Sequence, residues 1–253
     1  MCRFLAYVSR EPVAPAGLLT NGALHEFIAL SRENRDGWGI AWRDNGGSLR
    51  LAKAPEPAQG SSEFSWLTSA VQTDSLMMHL RWATRGLGFG LKDTHPFARD
   101  GIAFAHNGAI KPVEKLEELV PAEERETLEG TTDSERYFLA AVSALKRKRD
   151  EEEALRDLMR DIGRRCLYTS LNCLLLTSER LYAVCRYNPE HPDARYHLRR
   201  DPDYFKLRYR SSLGALVVAS SGWRASGSWE TLENGQALVV ERRILENKLL
   251  EIA

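Results

Sequence analysis

The chain has 253 residues, of which 43% are apolar and 28% are charged, a composition that is typical of a globular protein. Its 35 basic and 35 acidic side chains leave no net charge, so bulk electrostatics indicate neither a nucleic-acid partner nor an anionic membrane. No apolar run approaches the roughly 20 residues that are needed to span a bilayer, and no export signal is recognisable. We therefore expect a cytoplasmic protein.

Short apolar runs predict strands along most of the chain, at residues 3–8, 38–43, 49–54, 76–82, 102–106, 173–177, 181–187, 216–220 and 237–241. Apolar residues that recur every three to four positions predict helices at residues 22–31, 61–71, 133–148 and 152–164. The two strands on either side of residues 177–180 have the spacing of a hairpin. Many strands interrupted centrally by two consecutive helices predict an α+β fold with a largely antiparallel sheet, in a single domain over residues 1–253.

Cys2 follows Met1, and cysteine is small enough for methionine aminopeptidase to remove the methionine. Removal would leave a free α-amine, with a pKa of roughly 7.7–8.0, beside a thiol whose ordinary pKa is about 8.5. The amine could then take the thiol proton, which makes Cys2 a candidate nucleophile. The other cysteines (Cys166, Cys173 and Cys185) form no CxxC pair, so we predict no zinc ribbon and no disulfides, and we expect Cys173 and Cys185 to be buried.

The segment at residues 79–86 places His79 and Arg81 on one face of a strand, with Arg81 where the strand gives way to a loop. A guanidinium there can bind a carboxylate through two parallel hydrogen bonds, although a structural ion pair is an alternative. Alternate glycines at residues 86–90 precede no predicted helix, so they do not indicate a phosphate-binding loop. They suit either a lid over a pocket or a merely flexible loop.

Asn107 and Gly108 follow an apolar strand, where the pair ordinarily forms a turn. Alternatively, the Asn107 amide and the Gly108 backbone N–H could stabilise an oxyanion. Asp133 stands at the head of the strongest predicted helix, where it could cap the helix, bind an ammonium group, or do both.

Three histidines, His79, His95 and His106, lie near different strand ends. They have no HxxxH spacing and no acidic companion at the spacing of a ligand, so we predict no metal site.

Taken together and in order, these segments resemble the class II glutamine amidotransferases of the N-terminal nucleophile hydrolase superfamily. The matching segments are Met1-Cys2, Asp36-Gly37-Trp38-Gly39-Ile40, His79-Leu80-Arg81-Trp82-Ala83-Thr84, His95-Pro96-Phe97, His106-Asn107-Gly108 and Thr132-Asp133-Ser134-Glu135. The resemblance implies a four-layer αββα sandwich of two largely antiparallel sheets. It also implies chemistry that needs no cofactor.

The resemblance further implies roles for individual residues. Cys2 would be the nucleophile, and Asn107 with Gly108 would form the oxyanion hole. Arg81 would bind the α-carboxylate of glutamine, and Asp133 its α-ammonium group. Further substrate-binding residues would be Trp82, Thr84 and His106.

Two departures from the family limit what the resemblance implies. The chain leaves no room for the phosphoribosyltransferase or sugar-isomerase domain of the large synthases, and Arg85 stands where the sugar-phosphate aminotransferase branch usually has histidine. We therefore expect a small stand-alone amidohydrolase that converts glutamine to glutamate and ammonia, with an ammonia-accepting partner protein or another acceptor.

Three alternatives stay open. One is a γ-glutamyl hydrolase that acts on a γ-glutamyl peptide or thiol metabolite with the same residues. Another is a non-catalytic regulatory subunit with the same fold, although Cys2, Asn107 and Asp133 are all present. The third is an acylase of the choloylglycine or penicillin V type, which also begins Met-Cys. Arg81 and Asp133 favour an amino-acid head over a bile acid or a penicillin.

Overall fold

The structure is a computed structural model that describes residues 2–19, 22–83, 90–212, 214–223 and 227–252. The strands are β1 (Arg3–Val13), β2 (Gly37–Arg43), β3 (Leu49–Ala54), β4 (Thr73–Arg81), β5 (Phe97–Arg99), β6 (Ile102–Asn107), β7 (Ile110–Lys111), β8 (Leu167–Tyr168), β9 (Asn172–Leu176), β10 (Arg180–Cys185), β11 (Leu207–Ser211), β12 (Ala215–Ser220), β13 (Glu230–Leu232), β14 (Gln236–Glu241) and β15 (Asn247–Glu251). The helices are α1 (Pro15–Leu18), α2 (Ala23–Ala29), α3 (Ser62–Ala70), α4 (Val113–Glu117), α5 (Ala122–Arg125), α6 (Asp133–Arg147), α7 (Glu151–Arg165) and α8 (Pro192–Leu198). Single 3₁₀ turns lie at Leu30–Arg32 and Leu91–Asp93.

Two antiparallel sheets make up most of the fold. The first sheet has the strand order β13-β11-β12-β1-β4-β2-β3, and the second has the order β15-β14-β10-β9-β6-β5. A small ladder joins β7 to β8. Strand β1 lies in the middle of the first sheet, where Leu5 pairs with Met78 on one side and with Ala219 on the other. The start of the chain is thereby fixed in the interior of the fold.

Alternation along β1 separates two hydrophobic layers. Phe4 and Ala6 point between the two sheets, where they pack with Leu174 of the second sheet. Leu5 and Tyr7 point the other way, toward the helices that cover the outer face of the first sheet. Because β1 is apolar on both faces, it is buried from residue 3 to residue 9.

The outer face of the second sheet is covered by the two long helices, α6 and α7. Phe104 of β6 packs there against Tyr137 of α6, and Leu158 of α7 belongs to the same core. With α2 and α3 on the opposite side, the layers follow the order helix, sheet, sheet, helix. The predicted αββα architecture is therefore confirmed.

Most predicted elements are present, with bounds that shift by a few residues. The hairpin of β9 and β10 is confirmed, and Cys173 and Cys185 are buried as expected. The charged stretch between α6 and α7 forms a junction in which Lys148 pairs with Glu153 and Asp157. The sequence did not predict strands β11, β13 and β15, which are short and carry polar residues at exposed positions.

Among the helices in the described ranges, none is both long and apolar enough to cross a bilayer.

Candidate active site

Cys2 immediately precedes β1 and is half-buried. Its sulfur lies 3.3 Å from the backbone nitrogen of Trp82, which donates to it, and 3.5 Å from the Trp82 carbonyl oxygen, which accepts from it. Burial raises the pKa of the Cys2 thiol, while the Trp82 N–H and the charge of Arg81 act to lower it. The thiol therefore needs a base to ionise at neutral pH. Met1 lies outside the described residues.

Arg81 is the last residue of β4, as the sequence predicted, and is 3% exposed. Its carbonyl oxygen accepts from the backbone N–H of Asp36 at 3.1 Å. The Asp36 carboxylate in turn accepts from the backbone N–H of Ala83 at 2.7 Å. Asp36 thus fixes the backbone on both sides of Trp82, whose side chain is 48% exposed. Thr84 lies outside the described residues.

Close packing requires a glycine at position 39, in the glycine-rich segment that follows Asp36. A Cβ at this position would overlap the carbonyl oxygen of His95 and crowd Pro96. Only glycine therefore lets residues 94–97 pack onto β2. The glycine-rich residues 86–89 that precede this segment lie outside the described residues. The expectation that no helix follows the glycines is corrected in one respect, because a single 3₁₀ turn begins after Gly90.

His79 and His95 form a buried pair behind Arg81. Their rings stack with centroids 4.3 Å apart, and no ring nitrogen of either has a hydrogen-bond partner in the described part of the chain. Burial lowers the pKa of His79 to about 3, against an opposing contact with the backbone of His106, and holds the pKa of His95 well below its usual range. Both rings are neutral at physiological pH, and a group with such a low pKa is a poor general base.

Strand β6 ends at Asn107 and Gly108 follows it, next to the point where the backbone of His106 contacts His79. Because Ala103 and Ala105 face the first sheet, the alternation places Asn107 on that side too. Asn107 is 1% exposed, and its Oδ1 atom has no hydrogen-bond partner among the described residues. A Cβ at Gly108 would overlap the carbonyl oxygen of Ser170, so glycine is required here.

His106 lies on the opposite face of β6, toward the helices. Its Nδ1 atom is 2.9 Å from the Ser134 hydroxyl, its Nε2 atom is 3.0 Å from the Ser170 carbonyl oxygen, and its ring packs edge-on against Tyr137. Burial lowers its pKa, and the charge of Asp133 opposes that shift. That His106 binds substrate stays a prediction; in the structure the residue is buried and both ring nitrogens are engaged, so it supports β6 from the side of the helices.

Asp133 is the first residue of α6 and is 6% exposed. It is not the helix cap, because the hydroxyl of Thr132 accepts from the backbone N–H of Glu135. Instead, Oδ2 of Asp133 accepts from the backbone N–H of Ile110 at 2.6 Å. The carboxylate therefore ties α6 to the chain just after Gly108. Among the described residues, its Oδ1 atom makes only a long contact of 3.5 Å with the Ser134 hydroxyl.

The two sheets approach each other near the ends of their strands, at a place that we call the cleft: the charge of Arg81 acts on both the Cys2 thiol and His79, and His79 contacts the backbone of His106. Cys2 and Arg81 lie at the end of the first sheet, Asn107 and Gly108 lie at the end of β6 in the second, and Asp133 begins the helix α6 that covers the second sheet. A thiol, a carboxamide, a guanidinium and a carboxylate therefore lie around this place. No group of three or more His, Cys, Asp or Glu side chains within the described ranges could hold a metal ion. Sequence reasoning gave Asp36 no role of its own, although this residue begins one of the segments that carry the family resemblance.

Comparison with known proteins relates the chain to glutamine amidotransferases and to a gamma-glutamyl hydrolase. The family model described as glutamine amidotransferases class-II matches residues 1–247. The chain is similar to the probable glutamine amidotransferase DUG3 of Saccharomyces cerevisiae, with 30% identity over 167 residues that cover 57% of this chain and 46% of that protein. It is also similar to the gamma-glutamyl-hercynylcysteine sulfoxide hydrolase of Mycobacterium tuberculosis, with 29% identity over 118 residues that cover 44% and 50% of the two chains. The chain spans about half the length of these curated relatives.

Solved structures share the fold. A glutamine aminotransferase class-II domain protein from Silicibacter pomeroyi superposes with a TM-score of 0.69 at 19% identity, and each chain is covered completely. The glutamine phosphoribosylpyrophosphate amidotransferase of B. subtilis gives a TM-score of 0.62 at 18% identity, where all of this chain matches 49% of that one.

Proposed function

Because the chain belongs to the class II glutamine amidotransferases, we propose that it is an amidohydrolase that cleaves a γ-glutamyl amide with Cys2 as nucleophile. Glutamine is the leading substrate, and glutamate and ammonia are the products. The observation that carries the proposal is the placement of a half-buried thiol at the end of one sheet and of Asn107-Gly108 at the end of β6 in the other. The charge of Arg81 acts on the thiol, and the Asp133 carboxylate accepts from the backbone N–H of Ile110, two residues after Gly108.

The reaction follows from the chemistry of these groups. The Cys2 thiolate attacks the γ-carbonyl carbon, and the negative oxygen of the tetrahedral intermediate is stabilised by Asn107 and Gly108. The C–N bond then breaks, and the base that took the thiol proton returns it to the departing nitrogen. Water hydrolyses the resulting thioester, which releases glutamate and restores the thiol.

We propose that the base is the α-amine of Cys2 after removal of Met1. Burial raises the pKa of the thiol, so a base with a pKa near neutrality is needed close to the sulfur. The low pKa values of His79 and His95 make those rings poor candidates. Intact-mass measurement of active protein tests this step: we expect a chain that begins at Cys2, and full activity with Met1 uniformly present would exclude the α-amine.

Arg81 and Asp133 suit the two charges of a free amino-acid head. A guanidinium binds a carboxylate through paired hydrogen bonds, and the Oδ1 atom of Asp133, whose contact within the described part of the chain is a long one, can accept from an ammonium group. Trp82, half-exposed beside the thiol, is a further wall of the pocket.

A second candidate is the hydrolysis of a γ-glutamyl peptide or thiol conjugate. The similarity to the Mycobacterium tuberculosis hydrolase supports it, since the name of that enzyme specifies a γ-glutamyl substrate. For glutamine, an ammonia-accepting partner protein remains part of the proposal.

A substrate panel separates the two candidates. Glutamine, γ-glutamyl peptides and γ-glutamyl thiol conjugates would be compared by kcat/KM for wild type and for Cys2→Ala. We expect turnover of at least one class by wild type and of none by the variant. Wild-type protein with its mature N-terminus that cleaved no γ-glutamyl compound would refute the proposed function.

A further inference from the structure

Both backbone groups of Trp82 contact the Cys2 sulfur. The Trp82 N–H donates to the sulfur at 3.3 Å, and the Trp82 carbonyl oxygen accepts from the thiol at 3.5 Å. A donor stabilises the thiolate, whereas an acceptor stabilises the neutral thiol. The backbone of Trp82 therefore offers the nucleophile a partner in each of its two protonation states.

Trp82 lies just beyond the strand pairing of β4. The pairing of β4 with β1 extends to Leu80 opposite Arg3, and its pairing with β2 extends to Arg81 opposite Gly37. Trp82 is the first residue past both ladders. The position of its peptide groups therefore depends on contacts other than sheet pairing.

Asp36, which immediately precedes β2, supplies these contacts. The Arg81 carbonyl and the Trp82 N–H belong to one planar peptide group, and the Asp36 N–H donates to that carbonyl at 3.1 Å. The Trp82 carbonyl and the Ala83 N–H belong to the next peptide group, and the Asp36 carboxylate accepts from that N–H at 2.7 Å. In a trans peptide the C=O and the N–H point in opposite directions, so each group has Asp36 on one side and the sulfur on the other.

The loop that carries Asp36 is itself fixed. Asn34 is 2% exposed, and its backbone N–H and its side-chain amide both donate to the Leu30 carbonyl oxygen at 2.9 Å. On the other side, Gly37 pairs with Arg81 in the first sheet. The backbone of Asp36 is therefore held both before and after the residue.

The effect of Asp36 on the thiol is electrostatic as well as geometric. Burial raises the pKa of Cys2, and the Trp82 N–H is one of the groups that oppose this shift. A hydrogen bond to a peptide carbonyl polarises the N–H of the same group and strengthens it as a donor. The bond from the Asp36 N–H to the Arg81 carbonyl therefore favours the thiolate through Trp82.

We propose that Asp36 is a positioning residue for the nucleophile: it holds the two peptide groups of Trp82 that contact the Cys2 sulfur, and thereby keeps the thiol reactive. The proposal rests on the role of Cys2 proposed above. The effect passes through the two peptide groups and needs no contact between Asp36 and the sulfur. Substitution tests the part that the carboxylate plays, because the backbone N–H remains in every variant.

The test measures the pH dependence of Cys2 alkylation by iodoacetamide, followed by the mass of the peptide that carries Cys2. Asp36→Ala removes the acceptor for the Ala83 N–H, so we expect the alkylation midpoint to move to higher pH. The rate at pH 7 should fall by about tenfold, which corresponds to a thiol pKa that is higher by about one. Asp36→Asn retains an amide oxygen as acceptor and should stay within about threefold of wild type.

Asp44→Ala is the matched control. Asp44 follows β2 at its other end, and its carboxylate also accepts from backbone N–H groups, those of Gly46 and Ser48. Its removal should leave the alkylation of Cys2 unchanged. A second readout separates positioning from a general loss of structure. In Asp36→Ala, kcat for glutamine should fall by about tenfold or more, whereas inhibition by glutamate, which does not need the thiolate, should stay within about threefold of wild type.

Wild-type alkylation kinetics in Asp36→Ala, or alkylation of Asp36→Asn that is as slow as that of Asp36→Ala, would overturn the proposal. If Asp36→Ala does not fold, Asp36→Asn is compared with Asp36→Glu, which keeps the charge but displaces the carboxylate by one methylene. We then expect slower alkylation at pH 7 in Asp36→Glu, and equal rates or the reverse order would contradict the proposal. Alkylation requires no substrate, so it tests Asp36 even if the protein cleaves no γ-glutamyl compound and the proposed function fails.

Discussion

The two sheets supply the cleft with different kinds of group. At the end of the first sheet, Cys2 is half-buried, and among the described residues its sulfur is held by backbone contacts with Trp82. On the side of the second sheet, Asn107 of β6 and Asp133 of α6 are almost completely buried, with Asp133 fixed by the N–H of Ile110. An attacking atom has to be reached by substrate, whereas an oxyanion site works best when its donors are fixed beforehand. The difference in burial therefore matches a difference in proposed task.

The largest effect is expected at the thiol. Cys2→Ala should lower kcat/KM by at least about 10⁴-fold without changing the midpoint of thermal unfolding, because it removes a nucleophile that is not part of a core. Cys173→Ala is the control: that thiol is 1% exposed, so its loss should cost about 1 kcal/mol of stability and leave activity within about twofold. A glutamine-like diazoketone should label Cys2 alone, and labelling elsewhere would contradict the assignment.

Asn107→Ala tests whether the second sheet acts in the transition state. We expect kcat to fall by about 10²–10³-fold with little change in KM, since one oxyanion donor is lost. Asn172 pairs directly with Asn107 in the sheet, but its amide already donates to the Phe205 carbonyl oxygen and accepts from the Arg186 N–H. Asn172→Ala should therefore lower the unfolding temperature and leave kcat almost unchanged. The reverse pattern would remove Asn107 from the proposed oxyanion hole.

Arg81→Lys and Asp133→Asn test whether these two side chains bind the α-carboxylate and the α-ammonium group of the substrate. Each should lower kcat/KM for glutamine by about 10–100-fold, because a lysine loses the paired geometry and an asparagine loses the negative charge. A glutamine analogue without the α-amino group should bind wild type poorly and be almost indifferent to Asp133→Asn. Equal losses for glutamine and the analogue would mean that Asp133 acts only through its bond to Ile110.

The smallest expected effect concerns pH and the buried histidines. His79 stays neutral in the folded protein down to a pKa of about 3, whereas an unfolded histidine binds a proton near pH 6.5. The free energy of unfolding should therefore decrease as pH falls below 6.5, by up to about 1.4 kcal/mol per pH unit for each such residue. His79→Phe should flatten the slope between pH 6.5 and pH 5 in denaturant titrations. An unchanged slope would show that His79 does not set it.

Sequence patterns predicted the residues that lie in the cleft better than the residues that hold them in place. Arg81 at a strand end and Asn107-Gly108 after a strand followed from local apolar runs, which fix where strands begin and end. The sequence did not predict which face of β6 carries His106, because a strand that is apolar on both faces gives no sign of which face meets the helices. The sequence offered Asp133 as a possible cap, whereas Thr132 is the cap in the structure, because both residue types cap helices.

Long-range partners were beyond the reach of local patterns. Arg208 lies in a short alternating strand and contacts the rings of Trp223 and Trp229, which are separated from it in sequence. Arg3 likewise contacts Tyr204 and Ser221, about 200 positions away. Such contacts depend on strand order, which the sequence alone did not give.

The central position of β1 determines when its sheet can be completed during synthesis of the chain. Leu5 pairs with Met78 on one side, but its other partner, Ala219, is 214 positions later in the chain. At about 5–20 residues per second, a ribosome needs about 10–40 s to make that intervening chain. During this time β1, which follows Cys2 directly, has one edge without its partner β12. The cleft can therefore be completed only when almost the whole chain has left the ribosome.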